Sequence, residues 1–291
     1  MEDREPTVRS RELGEGLRRA MHNAGLTGKD VAKLLDLSPS WVSRLISGKR
    51  NVTAVQASAF LAVCQAPSAE RERLLALCDE QHTPGWFQQH GSRLPLQLVT
   101  LIDHENKAVA ISEFQSTVVP GLLQTGDYTR AMIREAGTLP PEEIDARVAA
   151  RLARQALFSR SDPARFSFYL HEFVLRLPVG GPAVMSDQLG QLHRMSLRPY
   201  LRVRVVPAAL GGHAAINGSF TLMEFTEFKP VAYLESETSS VFLEKPVEIT
   251  AYRNILALLA DTALGEEESR QLIATLATEL YADREDHDDR A

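Results

Sequence analysis

The chain has 291 residues, of which 44% are hydrophobic and 24% are charged, as in ordinary globular proteins. This composition excludes a disordered, collagen-like or low-complexity chain, and the length allows one large domain or two unequal ones. No apolar run approaches the ~20 residues needed to cross a bilayer, and the first ten residues lack the apolar stretch of a signal peptide. We therefore expect a cytoplasmic protein. Cys64 and Cys78 fit no zinc or redox spacing, so both are predicted to be small buried hydrophobes without a disulfide.

Charge is divided unevenly along the chain. Residues 1–66 carry ten Lys/Arg and seven Asp/Glu, a net charge of +3, which leaves −9 for the other 225 residues because the whole chain carries −6. A small basic module joined to a larger acidic part suggests that the N-terminal end binds a polyanion and that the rest binds something else.

Four short helices are predicted in the N-terminal segment. Apolar residues at helical spacing indicate a first helix with a possible cap at Ser10 and an end near residues 23–25. Thr27 and Asp30 have the spacing of a capping box, which opens a second helix. The apolar face of this second helix is predicted to contain Val31, Leu34 and Leu35.

The third and fourth helices also have local start and stop signals. Ser38 suits the N-cap and Pro39 the first helical position, where the missing N–H costs nothing. The third helix is predicted to run to about Ser47, with Gly48 closing it in a left-handed conformation. A fourth helix is predicted from Thr53, with an apolar face of Val55, Ala59, Ala62 and Val63.

The second and third helices, joined by a turn of about four residues within 27–48, match a helix-turn-helix in size and order. The third helix places Val42, Leu45 and Ile46 toward the core and a small polar face on the other side. Short side chains allow close approach to the major groove, and an arginine there can donate two hydrogen bonds to guanine. Lys49, Arg50 and Asn51 lie where they can reach phosphates. The alternative interpretation is a solvated face of a small helical bundle. The predicted DNA-binding residues are Thr27, Lys29, Ser38, Ser40, Trp41, Ser43, Arg44, Ser47, Lys49, Arg50 and Asn51.

The run from Leu13 to Arg50 resembles the Xre-type, or lambda-repressor-like, helix-turn-helix family. The matching positions are Gly25, Leu26, Thr27, Ser43, Arg44, Leu45 and Gly48. Two positions depart from the usual signature. Gly28 stands where the family often has a glutamine that contacts a phosphate, and the neighbouring Lys29 is a candidate to make that contact instead. Ile46 stands where the family has glutamate.

The rest of the chain predicts a helix-rich α+β domain, with too few strands for a doubly wound sheet. The expected organisation is a DNA-binding domain over 1–66, a helical connection over 67–85, a regulatory domain over 86–282 and a solvated acidic tail over 283–291. Pro84–Phe87 is a plausible junction. The predicted helices are 96–114, 127–136, 141–159, 184–197, 247–263 and 266–281, and the predicted strands are 166–170, 201–206, 220–225 and 231–234.

This C-terminal part resembles a large family of actinobacterial regulators described as WhiJ-like or antitoxin-like. The resemblance is carried by the element Val119–Thr125 (VPGLLQT) with Tyr128, by Arg151–Gln155 (RLARQ), and by further residues in the same order, which are His171-Glu172, Val179–Gly181, Gln188-Leu189, Val206-Pro207, Gly212-His213, Phe220, Tyr233–Glu235 and Tyr252. It implies a regulator whose acidic domain binds a small protein encoded nearby, or a small ligand, and so modulates DNA binding. From the residues alone, VPGLLQT can equally be a turn leading into the next helix.

The sequence contains no signature of an enzyme. The eight histidines lack the i, i+4 spacing of a helical metal pair, and no nucleophile elbow, P-loop or dinucleotide fingerprint occurs. His171-Glu172 and Gly212-His213 can form an acid/base site only if the fold brings them together, and each histidine is more often structural. We therefore expect no catalysis, no metal and no cofactor.

The predicted function is sequence-specific binding of double-stranded DNA by a transcriptional regulator that acts as a homodimer on an inverted repeat. A single small module makes few contacts, so dimerisation through the C-terminal part is expected. Two alternatives remain open. One is an antitoxin-like protein that chiefly neutralises a small partner and uses DNA binding for autoregulation. The other is a sensor whose ligand pocket controls DNA affinity.

Overall fold

A computed structural model describes residues 6–80, 86–89, 96–137, 139–236 and 239–281. The chain forms two compact units. The first contains Met1–Gln89 with two later segments, Glu227–Val231 and Thr238–Ile249, and the second contains His90–Thr226, Ala232–Glu237 and Thr250–Ala291. The acidic tail and residues Pro84 and Gly85 of the expected junction lie outside the described residues.

The first unit is a bundle of five helices with a two-stranded ribbon. Its helices are α1 (Val8–Asn23), α2 (Gly28–Leu34), α3 (Pro39–Ile46), α4 (Ala54–Val63) and α5 (Ser68–Glu80). Strand β1 (Trp86–Gln89) pairs antiparallel with β7 (Ser239–Leu243).

Side-chain caps set the helix starts, as the sequence predicted for three of the four helices in the N-terminal segment. Thr27 and Asp30 form a capping box, Ser38 caps α3 with Pro39 in its first turn, and Thr53 caps α4. The prediction for α1 is wrong, because Thr7 is its N-cap and accepts a hydrogen bond from Ser10 N at 3.1 Å.

Gly48 follows α3 with φ +72°, as predicted for a left-handed residue after the helix. A Cβ at this position would lie 3.0 Å from the N and Cα of Arg11. Glycine is therefore required here both for the backbone conformation and for the close approach of α1.

One hydrophobic core joins all five helices of this unit. Its largest fully buried side chains are Leu13, Leu17, Leu45, Phe60, Leu61 and Leu74. Leu74 belongs to α5, so this helix packs into the same core as the predicted DNA-binding helices. Cys64 and Cys78 are buried free thiols, as expected, and burial raises the pKa of Cys64 to about 11.

The predicted apolar face of α2 is wrong in part, because Val31 is buried but Leu34 is 60% exposed. The predicted face of α4 is wrong, because Val55, Ala59 and Ala62 are exposed and Val63 is half-buried. Helix α4 instead buries Ala57, Phe60 and Leu61. Helix α4 has apolar residues on nearly every side, so the sequence period does not define which face is buried. Burial of the large Phe60 ring determines which side of the helix packs against the core.

The second unit is a mixed sheet with helices, consistent with the predicted α+β class. Its helices are α6 (Leu96–Lys107), α7 (Gly126–Ala136), α8 (Pro141–Arg154), α9 (Phe173–Arg176), α10 (Pro182–Met195), α11 (Pro246–Thr262) and α12 (Glu266–Tyr281). Its strands are β2 (Ala110–Gln115), β3 (Arg165–His171), β4 (Leu201–Val206), β5 (Phe220–Glu224) and β6 (Val231–Glu235). The unit boundary crosses β6 and α11, and both are described with this unit.

The strand order in this unit is β6-β5-β2-β3-β4. Strands β2, β3 and β4 are parallel, and α7–α8 and α9–α10 form the two crossovers between them. Strand β5 pairs antiparallel with β2. This arrangement brings the chain after β2, which contains VPGLLQT, to the same sheet edge as the ends of β3 and β4.

The element predictions for this unit are close except at two places. Residues 110–114, predicted as the end of a long helix, form β2, and the short helix α9 was not predicted. In the first unit, β1 and β7 were not predicted either. No glycine or proline marks a break within 96–114, but Lys107 ends α6 and residues 110–115 form strand β2. No helix in the described part of the chain is long and apolar enough to span a membrane.

Candidate nucleic-acid interface

Helices α2 and α3 and the turn between them form the predicted helix-turn-helix. The Thr27 hydroxyl donates to Asp30 Oδ2 at 2.6 Å and accepts from Asp30 N at 3.3 Å, which fixes the start of α2. The bond from the Thr27 hydroxyl, together with one from Thr27 N to Asp30 Oδ2 at 2.8 Å, lowers the pKa of the Asp30 carboxyl. Asp36 takes φ +53° in the turn, and the Ser38 hydroxyl accepts from Trp41 N at 3.2 Å to start α3.

The predicted DNA-binding residues divide by exposure into three groups. The exposed ones are Thr27, Lys29, Ser38, Ser40, Ser43 and Asn51. The half-buried ones are Arg44, Ser47, Lys49 and Arg50, and Trp41 is buried. Ser38 and Ser40 lie at the N-terminal end of α3, the part of a recognition helix that contacts base edges. Their hydroxyl oxygens are 3.3 Å apart.

Trp41 differs from the other predicted residues, because its side chain belongs to the core. It is 8% exposed and packs within the hydrophobic cluster of the first unit. The guanidinium carbon of Arg50 lies 5.3 Å from the ring centroid, within cation–π range. The indole of Trp41 is therefore a core side chain that contacts Arg50.

Lys49, predicted to bind a phosphate, has an acidic partner that the sequence did not reveal. Its Nζ lies 3.0 Å from Glu227 Oε2, and both residues belong to the first unit. The two residues are 178 positions apart in sequence. No local pattern connects them, so only the fold identifies the pair.

Two further contacts fix the later segments of the first unit to α1. The guanidinium carbon of Arg11 lies 4.9 Å from the ring centroid of Phe228. The buried carboxylate of Glu244 accepts from Val8 N at 3.1 and 3.3 Å, which satisfies a free N–H in the first turn of α1.

In the second unit the two sequence elements VPGLLQT and RLARQ come together. Arg151 donates to Gln124 Oε1 at 2.7 Å, and Gln155 donates to Gln124 O at 2.7 Å. Gln124 also donates to Val119 O at 2.7 Å, which closes VPGLLQT on itself. The Tyr128 hydroxyl accepts from Val119 N at 3.2 Å. These bonds give several of the residues in both elements a structural role.

Buried charges lie beside this cluster. Arg154 and Glu105 form a bidentate pair with side chains 9% and 4% exposed. Burial lowers the pKa of Arg151 to about 10. Glu113, on β2, is 6% exposed, and burial raises its pKa to about 7 against the opposing hydrogen bond from Gln115.

The fold brings His171 and His213 together but does not make an obvious acid/base site with Glu172. The two rings are 5.5 Å apart between centroids. Burial, and then the neighbouring His171, lower the pKa of His213. The Glu172 carboxylate accepts from Ala208 N at 2.9 Å and from Arg176 Nε at 2.8 Å, so its oxygens hold local structure. Within the described ranges, no group of three or more His, Cys, Asp or Glu is arranged to hold a metal ion.

Comparison with known protein families finds two matches along the chain. Residues 12–74 match a helix-turn-helix domain, so the N-terminal part of the chain contains a domain of this kind. Residues 98–275 match a domain of unknown function, DUF5753, and the chain belongs to that family. No curated protein matches the sequence.

One solved structure is similar at a low level. It is described as "Structure of TrmBL2, an archaeal chromatin protein, shows a novel mode of DNA binding", and it is 10% identical over 82% of this chain and 87% of that chain, with a TM-score of 0.29. This similarity is too low to transfer a fold or a function.

Proposed function

We propose that this protein is a sequence-specific DNA-binding transcriptional regulator that inserts α3 into the major groove. The observation that carries the proposal is the capped α2–turn–α3 unit with Ser38, Ser40 and Ser43 exposed on one helix and Arg44 beside them. Small side chains permit close approach to the base edges, and the arginine supplies a donor pair for guanine O6 and N7.

Basic residues at the edges of this surface suit phosphate contacts. Lys29 is exposed at the start of α2, and Lys49 and Arg50 follow α3. Backbone contacts of this kind fix the register on the duplex without reading sequence. The stacking of Arg50 on Trp41 limits the freedom of its guanidinium before DNA binds.

A homodimer on an inverted repeat is part of the proposal, because one such small module makes few base contacts. Selection of bound duplexes from a random-sequence library by the full chain tests it. We expect an enriched site with two-fold symmetry and half-sites about 10 base pairs apart, one helical turn. Recovery of duplexes with no common sequence would contradict specific recognition, and an enriched site without symmetry would contradict the dimer.

The second unit is proposed to receive the signal, either a small protein encoded nearby or a small ligand. The resemblance to antitoxin-like regulators supports a protein, and in that alternative the chain chiefly neutralises its partner and binds DNA for autoregulation. This alternative predicts a stable complex that co-purifies and that shifts DNA affinity.

The ligand alternative places its site at a small cavity in the second unit. Its volume is about 300 Å³, at the lower end for small-molecule sites. The cavity is lined by Ser167, Phe168, Tyr169, Arg202, Arg204, Ala260, Gly265 and Glu266. Arg204 donates to the backbone carbonyls of Ala260, Ala263 and Leu264. Arg202 pairs with Glu266, at 3.4 Å and with both side chains exposed, so this cation is the easier one for a ligand to recruit. A bound ligand would raise the unfolding temperature of the full chain with its concentration.

A further inference from the structure

Two consecutive residues from the later part of the chain contact the helix-turn-helix beside its predicted phosphate site. Glu227 pairs with Lys49, and Phe228 lies against the Arg11 guanidinium. All four residues belong to the first unit. The segment Glu227–Val231 is therefore part of the DNA-binding unit, although the sequence places it inside the match to DUF5753.

The two contacts lie close together because their partners, Lys49 and Arg11, are neighbours in the first unit. The close approach of Gly48 to the Arg11 backbone places the start of the α3–α4 connection against α1. Glu227 contacts Lys49, which follows Gly48, and Phe228 contacts Arg11 on α1. The carboxylate of Glu244 fixes the second segment, Thr238–Ile249, to the first turn of α1.

The Lys49–Glu227 ion pair is exposed enough that another anion can replace the carboxylate on Lys49. The Lys49 side chain is 32% exposed and that of Glu227 is 65% exposed, and exposed ion pairs of this kind are weak. A phosphate that approaches Lys49 must displace the carboxylate or accept it as a close like charge. Either event lowers the affinity for DNA, and more strongly at low salt.

We propose that Glu227 is an internal competitor of DNA. Its carboxylate binds Lys49 at the position that a DNA phosphate takes in the complex. DNA binding then exchanges the carboxylate for a phosphate, and any movement of the segment Glu227–Val231 changes DNA affinity. This inference rests on the proposed DNA binding and names how that surface is regulated.

The test is the affinity of the full-length Glu227→Gln variant for duplex DNA over a range of salt concentrations. We expect binding about 2- to 5-fold tighter at low salt, which is the range of a weak exposed ion pair. The slope of log affinity against log salt should steepen by up to about 0.9, since one more phosphate contact releases its counterion without opposition. Glu227→Lys should bind more tightly still.

Glu72→Gln is the matched control, because it makes the same charge change at an exposed position on α5. This variant should leave affinity and slope close to those of the wild type. In the Lys49→Ala background the gain from Glu227→Gln should fall to the level of the control. Thermal unfolding of each variant checks that the fold is retained.

Unchanged affinity in both Glu227→Gln and Glu227→Lys, with Lys49→Ala still weakening binding, would overturn the competitor role and leave DNA binding intact. A gain of the same size in the Lys49→Ala background would also overturn it, because the effect would then be a general one of charge. Failure of the wild type to bind any duplex would instead refute the proposed function.

Discussion

Arg151 donates a hydrogen bond of 2.7 Å to the side-chain oxygen of Gln124, and this bond joins two sequence elements that lie 27 residues apart. Gln124 is 2% exposed. The bond closes the turn that follows β2 onto α8, the crossover helix that leads to β3. This bond fixes the turn at the carboxyl end of β2. It therefore favours a structural role for several residues of VPGLLQT.

The buried pair beside this bond should be far more important for stability than exposed pairs of the same unit. We expect Arg154→Leu to lower the free energy of unfolding by about 3–5 kcal/mol, because it leaves the Glu105 carboxylate buried without its partner. Arg130→Leu removes a half-buried arginine whose partners, Asp127 and Asp145, are exposed, and it should cost at most about 1 kcal/mol. Urea denaturation of the full chain measures both. Equal losses would show that the Arg154–Glu105 pair is not desolvated in solution.

Glu113 should make the second unit less stable at high pH. Its pKa is about 7 in the folded protein against an ordinary value of 4.5, so the folded state favours the protonated form. The stability that protonated Glu113 contributes is therefore fully present below about pH 4.5, and it is lost as the pH rises through 7. We expect Glu113→Gln to unfold like the wild type near pH 4.5 and to be more stable by about 2–3 kcal/mol at pH 8.

Thermal unfolding at several pH values, with the exposed Glu142→Gln as control, measures this difference. A stability difference between Glu113→Gln and the wild type that stays constant from pH 5 to pH 8 would rule out titration of Glu113 in that range.

Two left-handed glycines of the first unit should respond differently to substitution. Gly25 has φ +68° with no atom within 4 Å of an added Cβ, whereas Gly48 has φ +72° and backbone atoms of Arg11 at 3.0 Å. Gly25→Ala should cost about 1 kcal/mol for its conformation alone, and Gly48→Ala about 2–3 kcal/mol because α1 must also shift. Thermal unfolding compares the two, and similar losses would mean that α1 accommodates the methyl group freely.

The local part of this structure could be predicted from sequence, and the long-range part could not. The starts of α2, α3 and α4 were predicted correctly because each depends on a cap within three residues, such as Ser38 with Trp41 N. Gly48 likewise followed from its position after α3. The burial of Trp41 was missed because helical spacing places it on the edge of the apolar face, where only tertiary packing decides its exposure.

In the second unit, β2 was missed because no glycine or proline separates it from α6 in the sequence. The charged contacts were missed for a different reason. Glu105 and Arg154 are 49 residues apart, and Lys49 and Glu227 are 178 residues apart. Such pairs depend on the topology of the sheet and on the return of a late segment to the first unit, and a single sequence contains no periodic signal for either.

The central claim is that α3 reads DNA sequence with Arg44. The most direct measurement is the affinity of the full chain for DNA from directly upstream of its own gene and for scrambled DNA, at two salt concentrations, with Arg44→Ala beside the wild type. Arg18→Ala, which removes an exposed arginine from α1, is the matched control. The account predicts a preference that survives at the higher salt, is weakened by roughly 1–3 kcal/mol in Arg44→Ala with relaxed specificity at one base position, and is retained in the control. A clear preference that Arg44→Ala leaves unchanged would contradict the claim that α3 reads sequence with Arg44.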